Sequence, residues 1–428
     1  MNVRAIAISG AILILGSIGV GLAASHSAIA AIDPPAVSSF SPALIARGEI
    51  LAAAGNCGAC HSVPGGESYG GGYAMTTSFG TIYSTNITPD ARTGIGAWPL
   101  AAFRRAMREG VARDGSHLYP VFPFDHFTKL ADADIEALYA YFMTRPAAHS
   151  PARENHLPFP LNIRALQAGW KLLFFRSGRF TADAARDAQW NRGAYLAQGI
   201  AHCGACHTPR NFFGAEQANN PYAGAPIDHW IAPPLTAANP APAPWDRSEM
   251  FAYLRSGVST LHGTAAGPMA GVVHSGLAAL PDADIDALAE YFQNSAGGAP
   301  AAPVKVGASA TGAAAAQNAA ADPAERLYSA ACASCHYNGS RPPNPLRPDL
   351  AHNSAIHLDD PTNLLQVMLG GIDAADGAPG VVMPAFAGFQ DEQILQIARY
   401  LRATRTDKAP WQNLDTALAS VRAQHRQE

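Results

Sequence analysis

Apolar residues recur at the spacing of one helix face in three separate stretches of the chain. Each stretch begins with an aspartate, at Asp132, Asp282 and Asp391, which we expect to act as a helix N-cap. The apolar positions then follow at i, i+3, i+6 and i+7, a spacing that buries one face of an α-helix. They are Ile135, Leu138, Tyr141 and Phe142 in the first stretch, Ile285, Leu288, Tyr291 and Phe292 in the second, and Ile394, Ile397, Tyr400 and Leu401 in the third. The pattern predicts three equivalent amphipathic helices, each closing one copy of a repeat.

A second set of helix-like runs opens the three repeats, and each run ends in a pair of cysteines. The runs cover residues 47–61, 192–207 and 326–336. Between the opening and closing helices Gly, Pro, Asn and Thr are frequent and strand-like alternation is weak, so we expect mostly loop. The predicted fold is mainly α, with three tandem domains that have long loops. Their predicted bounds are 40–150, 185–296 and 323–406.

The N-terminal segment is apolar enough to indicate where in the cell the chain is located. Residues 5–24 are uncharged and largely apolar, and about 20 such residues suffice for a helix that spans a bilayer. A signal peptide usually has a shorter apolar core, which favours a retained anchor, although Ala28-Ile29-Ala30 resembles a cleavage site. Residues 1–32 are therefore read as a membrane anchor or signal segment. Both interpretations place the rest of the chain on the periplasmic side of the bacterial inner membrane.

Three segments lie outside the repeats. The connecting segment, 151–184, contains the apolar stretch 159–180, which we expect to be a helix packed between the first two repeats; membrane or partner contact is the alternative. Residues 297–322 form an Ala/Gly/Pro linker, which predicts that the third repeat is tethered to the second rather than fused with it. Residues 407–428 are a polar C-terminal extension to which the sequence assigns no role.

Charge and motifs exclude several classes of function. The chain has 29 Lys and Arg against 33 Asp and Glu, a net charge of -4, and only 14% charged residues, so no basic surface for nucleic acid is expected. No dinucleotide fingerprint, phosphate loop or nucleophile triad stands out. We therefore expect no substrate-oxidising site on this chain.

All six cysteines belong to three Cys-x-x-Cys-His motifs, the pattern of c-type haem attachment. The motifs are Cys57, Cys60 and His61 in repeat 1, Cys203, Cys206 and His207 in repeat 2, and Cys332, Cys335 and His336 in repeat 3. Two thiols bind the two vinyl groups of one haem, and the adjacent histidine becomes the proximal ligand of the iron. A redox dithiol needs no histidine, a zinc site would cluster its ligands, and disulfides would not repeat one spacing three times. The sequence therefore predicts three covalently bound haem c groups.

The sixth iron ligand is expected from a loop before each closing helix. Met269 in repeat 2 and Met383 in repeat 3 lie in such loops, where a thioether is free to approach the open haem face. A methionine ligand raises the reduction potential relative to a second histidine. Core packing is the commoner role of methionine, but the equivalent placement of these two favours ligation.

Repeat 1 differs at this place, because Phe122 stands where methionine is expected. Phenylalanine has no lone pair to ligate iron. His126, four residues downstream in the same loop, is the preferred sixth ligand, followed by His117, Met107 and Met75. An iron without a sixth protein ligand is the alternative, and it would permit chemistry on a small molecule.

Several motifs together resemble one known family, the membrane-bound three-haem cytochrome c subunits of dehydrogenases of acetic-acid bacteria. Besides the haem motifs they are FGTIYSTNITPD at 79–90, TGIGAW at 93–98, HTPRN at 207–211, GPM at 267–269 and MPAF at 383–386. The resemblance covers nearly the whole chain beyond residue 40. It implies three class I cytochrome c-like domains that pass electrons from a separate catalytic subunit to ubiquinone. It also implies His61, His207 and His336 as proximal ligands, with Met269 and Met383 as distal ones.

The loop around Phe122 narrows the resemblance. The alcohol dehydrogenase branch usually has methionine there, whereas HLYPVFPFDHF at 117–127 looks more like cytochromes paired with molybdenum hydroxylases. These hydroxylases include membrane aldehyde dehydrogenase and the isoquinoline and nicotinate oxidoreductases. Among them aldehyde dehydrogenase is the favoured type, which implies a molybdopterin-containing catalytic subunit and a small iron–sulfur subunit. The alternatives are the cytochrome subunit of a quinoprotein alcohol dehydrogenase or of a flavin-dependent gluconate or sorbitol dehydrogenase, and a haem enzyme with an open site in repeat 1.

Overall fold

The structure is a computed structural model, and it describes residues 26–295, 322–336, 348–373 and 383–426. The chain divides into two compact units. The first contains the described residues up to Asp183 together with Tyr195–His202. The second contains Ala184–Ala194 and the described residues from Cys203 onward, so that repeats 2 and 3 share one unit.

The first unit is built from short helices and one hairpin. Its helices and strands are α1 (Pro42–Ala54), α2 (Cys57–His61), β1 (Ala74–Thr77), β2 (Gly80–Tyr83), α3 (Leu100–Glu109), α4 (Phe124–Phe127), α5 (Asp132–Met143) and α6 (Gln167–Phe174), with single 3-10 turns at Val37–Ser39 and Arg164–Leu166. The next helix, α7 (Ala188–Gln198), begins in the second unit and ends in the first.

The second unit continues this pattern through two more repeats. Repeat 2 contains α8 (Gly204–His207), β3 (Ala225–Ile227), β4 (Trp230–Ala232), α9 (Arg247–Ser256), β5 (Val258–Ser259), β6 (Gly263–Thr264), α10 (Pro268–Gly271), a π-helical turn at Val272–Gly276, a 3-10 turn at Leu277–Ala279 and α11 (Asp282–Ser295). Repeat 3 contains α12 (Pro323–Ala331), α13 (Ala333–His336), a 3-10 turn at Leu350–His352, α14 (Ser354–His357), α15 (Thr362–Gly370), α16 (Asp391–Arg405) and α17 (Leu414–His425). The mainly α class predicted from the sequence is confirmed.

Opening and closing helices cross closely within repeats 1 and 2, and a glycine makes each crossing possible. A Cβ at Gly48 would lie 2.0 Å from the carbonyl oxygen of Ala137 on α5, and one at Gly193 would lie 1.9 Å from that of Ala287 on α11. Real Cβ atoms do not approach a carbonyl this closely, so only glycine fits. The helix before the haem motif is therefore locked against the closing helix in both repeats.

The closing helices begin at the predicted aspartates, but the capping prediction is wrong. Asp132 and Asp391 are the first helical residues of α5 and α16, and the N-caps are Ala131 and Gln390. Gln390 forms a capping box with Gln393, while Asp132 accepts a hydrogen bond from Arg108 instead of capping its own helix. The predicted apolar stripe is buried, apart from Tyr400, which is half-buried. The period of the pattern thus identified the helices, whereas charge at the first position serves the helix dipole and ion pairs.

The regions expected to be loop contain three short antiparallel hairpins within the described residues. They pair β1 with β2, β3 with β4, and β5 with β6. The strands have two to four residues. Such strands are too short to give an alternating pattern in the sequence.

The C-terminal extension is part of the core of repeat 3. Leu414, Leu418 and Val421 of α17 are at most 3% exposed and pack in one apolar cluster with residues of α15 and α16. The indole Nε1 of Trp411 donates to the carbonyl of Leu358 at 2.8 Å. Residues 407–426 therefore complete the domain.

Repeat 3 is not merely tethered to repeat 2. The amide side chain of Asn363 on α15 accepts from the backbone N–H of Ile231 and donates to its carbonyl, each at 2.8 Å. The linker itself, 297–322, lies outside the described residues except for Asp322.

The predicted N-terminal hydrophobic helix also falls on residues outside the described part, which begins at residue 26. Within the described ranges, no helix combines the length and apolar character needed to cross a bilayer.

The expectation for 159–180 as an ordinary packed helix is wrong for its outer face. Helix α6 has no buried residue, and Leu172 and Leu173 are 74% and 65% exposed.

Candidate haem sites

The haem motif of repeat 1 is held by one turn of helix directly after α1. Asn56 adopts a left-handed backbone conformation (φ 48°), which ends the first helix and starts α2 at Cys57. His61 lies at the end of α2, and its Nδ1 donates to the carbonyl oxygen of Thr85 at 2.6 Å. A carbonyl only accepts, so Nδ1 carries the proton and Nε2 carries the lone pair that would bind iron.

The same arrangement recurs in the other two repeats. His207 Nδ1 donates to the carbonyl of Pro233 at 2.7 Å, and His336 Nδ1 donates to that of Pro348 at 3.2 Å. Burial lowers the pKa of His61, His207 and His336, while these hydrogen bonds oppose the shift. All three imidazoles are thus oriented and kept neutral, which is the form that ligates a metal.

The cysteines have the chemistry expected of haem-attachment thiols and not of a redox pair. None of the six forms a disulfide, and all lie within the described residues. Burial and, to a smaller extent, the neighbouring cysteine of each motif raise the pKa of Cys57 and Cys203 to about 12 and that of Cys332 to about 11. A reactive dithiol needs a lowered pKa, so these sites do not fit thiol–disulfide exchange. They fit covalent haem c, with two thiols and one neutral imidazole in each motif.

Aromatic side chains beside the motifs repeat as well. In repeat 1 the ring of Tyr69 packs edge-on against Tyr141 and Phe142 of α5, with centroids at 6.0 and 5.3 Å. In repeat 2 Tyr222 packs in the same way against Tyr291 and Phe292 of α11, at 6.1 and 5.3 Å. In these two repeats the apolar stripe of the closing helix therefore packs against a tyrosine that lies near the first cysteine of the haem motif.

The backbone aligns the distal loops of repeats 1 and 2. Gly110 and Gly257 end α3 and α9 with positive φ, and their carbonyls accept from Leu118 and Ala265, both at 2.7 Å. Gly257 and Ala265 of repeat 2 each lie 147 residues after their counterparts Gly110 and Leu118 in repeat 1. With the same offset, Met269 corresponds to Phe122. The structure thus agrees with the sequence that phenylalanine replaces the expected ligand in repeat 1.

Met269 lies on α10, a single turn of helix, and not in an open loop. It is half-buried and packs with Tyr253 against a small cluster of Ala265, Ala270 and Val273. A π-helical turn follows at once, and it gives repeat 2 three more residues before its closing helix than repeat 1 has.

Met383 occupies a different backbone position. It forms an antiparallel bridge with Ile372, with N–H to carbonyl distances of 2.9 and 3.0 Å. Ile372 itself follows α15 and Gly371 directly. Residues 374–382 before it lie outside the described part of the chain.

His126 is buried, at 5% exposure, on α4. Its Nδ1 donates to the carbonyl of Gln198 at 2.9 Å. This is the same type of hydrogen bond that orients the three motif histidines. The ring also lies beside His202, with centroids 6.3 Å apart.

The lower-ranked candidates are held in other ways. Nδ1 of His117 accepts from Lys171 Nζ at 3.0 Å, which occupies one ring nitrogen. Met107 is buried on α3 at 6% exposure, as expected of core packing, and Met75 lies on β1 opposite Ile82. His126 therefore stays the preferred prediction for the sixth ligand of repeat 1.

Sequence reasoning missed the three carbonyls that orient the proximal histidines. They belong to Thr85, Pro233 and Pro348, which follow their histidines by 24, 26 and 12 residues. In repeats 2 and 3 the proline is part of a Pro-x-Leu sequence, at 233–235 and 348–350. That short pattern was the available signal.

Comparison with known families and proteins agrees with these sites. A family model described as "Cytochrome c" matches residues 45–146, and one described as "Cytochrome C oxidase, cbb3-type, subunit III" matches residues 319–401. The "Fructose dehydrogenase cytochrome subunit" of Gluconobacter japonicus is 37% identical over 393 residues, which is 86% of this chain and 80% of that protein. The chain belongs to the family of cytochrome c subunits of dehydrogenase complexes. The cytochrome c subunit of the quinone alcohol dehydrogenase of Gluconacetobacter polyoxogenes is 35% identical, over 86% of this chain and 82% of that protein.

A third relative differs in length. A nicotinate dehydrogenase subunit of Pseudomonas putida is 46% identical over 399 residues, which is 92% of this cytochrome subunit but 33% of that protein. The chain thus spans one third of that relative. As a member of the family, the chain is an electron-transfer protein with covalently bound haem c.

Proposed function

We propose that this cytochrome subunit carries three haems and transfers electrons from a periplasmic dehydrogenase of the molybdenum hydroxylase type to ubiquinone in the inner membrane. The observation that carries the proposal is the threefold recurrence of one site: two thiols, the first with a raised pKa, and a neutral histidine whose Nδ1 is bonded to a backbone carbonyl. Each haem supplies one reversible one-electron redox centre. Three centres on one chain give a relay without a substrate pocket.

The residues of the chain orient and tune those centres. The Nδ1 bonds fix the tautomer and the ring plane of His61, His207 and His336. Met269 and Met383 as sixth ligands would hold two irons at high potential, while a second histidine in repeat 1, His126, would lower the potential of the first. The proposed differences in ligand give the relay a spread of potentials.

The loop around Phe122 is the basis for proposing a partner. It favours an aldehyde dehydrogenase with a molybdopterin subunit and a small iron–sulfur subunit. A second candidate is a complex that oxidises an N-heteroaromatic acid such as nicotinate. It is favoured by the 46% identity with the nicotinate dehydrogenase subunit, against 35–37% with the fructose and alcohol dehydrogenase subunits. The relay is the same in both.

The test is purification of the intact complex from its membrane. We expect three haem c per chain by haem assay and by mass, molybdenum and iron–sulfur clusters in stoichiometric amounts, and substrate-dependent reduction of a ubiquinone analogue. Activity with an aldehyde or with a nicotinate-type acid separates the two candidates.

Other compositions would overturn parts of the proposal. Pyrroloquinoline quinone or flavin in place of molybdenum would assign the chain to an alcohol, gluconate or sorbitol type of complex. Carbon monoxide binding to one ferrous haem, with turnover of a small molecule by the isolated chain, would favour an open iron in repeat 1 and an enzymatic role.

A further inference from the structure

The connecting segment presents a row of uncovered apolar side chains. They are Phe159, Ile163, Leu166, Leu172 and Leu173, which are 80%, 42%, 47%, 74% and 65% exposed. We call these five side chains the exposed apolar strip. They lie within fifteen consecutive residues of one compact unit, whereas exposed apolar residues elsewhere on a soluble surface are normally scattered singly.

The strip is exposed because the opposite side of the segment is firmly held. Lys171 Nζ donates to the carbonyls of Glu109 and Gly110 at 2.6 and 2.7 Å, at the end of α3. Phe124 packs edge-on against Phe175 and Trp170, with centroids at 5.0 and 6.2 Å. These contacts fix the rotation of α6, so Leu172 and Leu173 point outward in the folded unit.

The charge of the segment is entirely positive. Residues 159–180 contain four cations and no acidic residue, in a chain whose net charge is -4; the cations are Arg164, Lys171, Arg176 and Arg179. Arg164 and Arg176 donate to backbone carbonyls. Arg164 also interacts with the carboxylate of Asp114, whereas a carbonyl leaves the positive charge of its donor in place. Arg179 pairs with the carboxylate of Asp132. The strip is thus bordered by cations in a protein that is acidic overall.

We propose that the exposed apolar strip, with the basic residues around it, inserts into the interface of an anionic phospholipid membrane. The proposal rests on the membrane-side electron transfer proposed above and names the surface of the chain that would contact the lipid. Leu, Ile and Phe beside Arg and Lys are the composition of helices that lie in a membrane interface. Energetically dominant protein contacts favour Trp and Tyr as well as Arg; segment 159–180 has no tyrosine, and its one tryptophan, Trp170, packs against Phe124. The occupant inferred from this chemistry is therefore lipid.

The first experiment measures vesicle binding of the haem-loaded chain as it occurs after export. Sedimentation with vesicles of phosphatidylglycerol and phosphatidylethanolamine compares the natural chain with the double variant Leu172→Ser, Leu173→Ser. We expect the double variant to partition at least about tenfold less strongly, because two large apolar side chains no longer enter the interface. Binding of the natural chain should fall in phosphatidylcholine and at high salt.

The matched control replaces another exposed apolar pair. Phe212 and Phe213 are 88% and 57% exposed, in the other compact unit and outside the strip. Phe212→Ser, Phe213→Ser should bind vesicles as the natural chain does. Equal losses in both double variants would mean general surface stickiness and would overturn the proposal.

A second measurement covers the case in which the N-terminal segment alone keeps every variant on the vesicle. A nitroxide attached at Leu172→Cys should collide more with oxygen than with a water-soluble nickel chelate, whereas one attached at Phe212→Cys should show the reverse. A nitroxide at 172 that is as open to the chelate as the one at 212 overturns the proposal. If substrate still reduces the haems of the intact dehydrogenase complex in detergent, the proposed electron transfer is retained and only the proposed lipid contact is overturned.

Discussion

The guanidinium of Arg192 donates two hydrogen bonds to the carboxylate of Asp284, both at 2.7 Å, and so joins α7 to α11 in the second unit. Arg47 and Asp134 form the corresponding link between α1 and α5 in the first unit, where Nε and Nη2 of Arg47 both donate to Oδ1, at 2.8 and 2.5 Å. In both repeats the arginine immediately precedes the glycine at the helix crossing. The paired charges therefore fix the register of the same crossing that glycine permits.

Breaking the Arg192 pair should destabilise repeat 2 measurably. Asp284 is 15% exposed and Arg192 is 40% exposed, so the bond is more protected than a surface pair. We expect Asp284→Asn to lower the free energy of unfolding by about 1–2 kcal/mol, since one charge of a bidentate pair is lost. Denaturant unfolding monitored at the haem absorbance measures it.

A control for this prediction lies two residues earlier. Asp282 is 74% exposed and contacts Arg255 at 3.1 Å through a single contact. Asp282→Asn should change stability by less than about 0.5 kcal/mol. Equal effects of the two substitutions would contradict the assigned role of the Arg192 pair.

The features that could be predicted from the sequence are those that depend on the period of apolar residues or on short motifs. The closing helices could be predicted from Ile135, Ile285, Ile394 and their neighbours, because apolar residues at i, i+3, i+6 and i+7 lie on one face of an α-helix. The haem motifs followed from the spacing of cysteine and histidine. The hairpins and the contribution of α17 to the core did not, because they depend on contacts distant in sequence, such as that of Trp411 with Leu358.

The candidate sites were predictable in the same uneven way. The proximal ligands are encoded next to the cysteines, whereas the carbonyls that orient them lie 12 to 26 residues away in loops. The outer face of 159–180 was misjudged because an apolar run has the same composition whether it packs in a core or stays exposed. Only the fixed rotation set by Lys171 and Phe175 separates the two.

Met269 as the sixth ligand in repeat 2 predicts a specific redox change. Met269→His should leave the haem low-spin and lower its midpoint potential by on the order of 0.1 V, within the ~0.8 V range that axial ligands span. Spectroelectrochemical titration of the purified chain should show one of three transitions moving to lower potential.

Met250 provides the matched methionine control. It is buried on α9 at 6% exposure, as a core residue. Met250→Leu conserves volume and should leave all midpoint potentials unchanged. If Met269→His also shifts none of them, Met269 is not an iron ligand.

His126 predicts a change of spin state in repeat 1. Removing the imidazole in His126→Ala should convert one haem of three to high-spin, because the iron loses its sixth ligand. Met107→Leu, at the nearby buried methionine, should keep the spectrum of the natural chain. A low-spin spectrum of all three haems in His126→Ala would remove His126 from the site, as would joint reduction of the three natural haems at high potential.

His262 predicts how the stability of the second unit depends on pH. The imidazole is 5% exposed and stacks on Trp245 with centroids 3.7 Å apart, and neither ring nitrogen forms a well-aligned hydrogen bond with the described residues. Burial lowers the pKa of His262 from 6.5 to about 4, while Glu249 and the nearby backbone of Pro244 oppose the shift. Below pH 6.5 the unfolded chain binds a proton that the folded chain does not. The contribution of the neutral His262 to the free energy of unfolding is therefore fully present above pH 6.5 and is lost as the pH falls from 6.5 toward 4.

The measurement compares the natural chain with His262→Phe, which retains an aromatic ring beside Trp245 but does not titrate. Between pH 7 and pH 5 the natural chain should lose about 2 kcal/mol more unfolding free energy than the variant, from the linkage of a pKa of 6.5 unfolded and about 4 folded. His149→Gln, at a histidine whose side chain is 54% exposed, gives the background of the method. Parallel pH curves for the natural chain and His262→Phe would mean that His262 is protonated in the fold. The stack on Trp245 would then hold an imidazolium, and burial would not be the force that sets its charge.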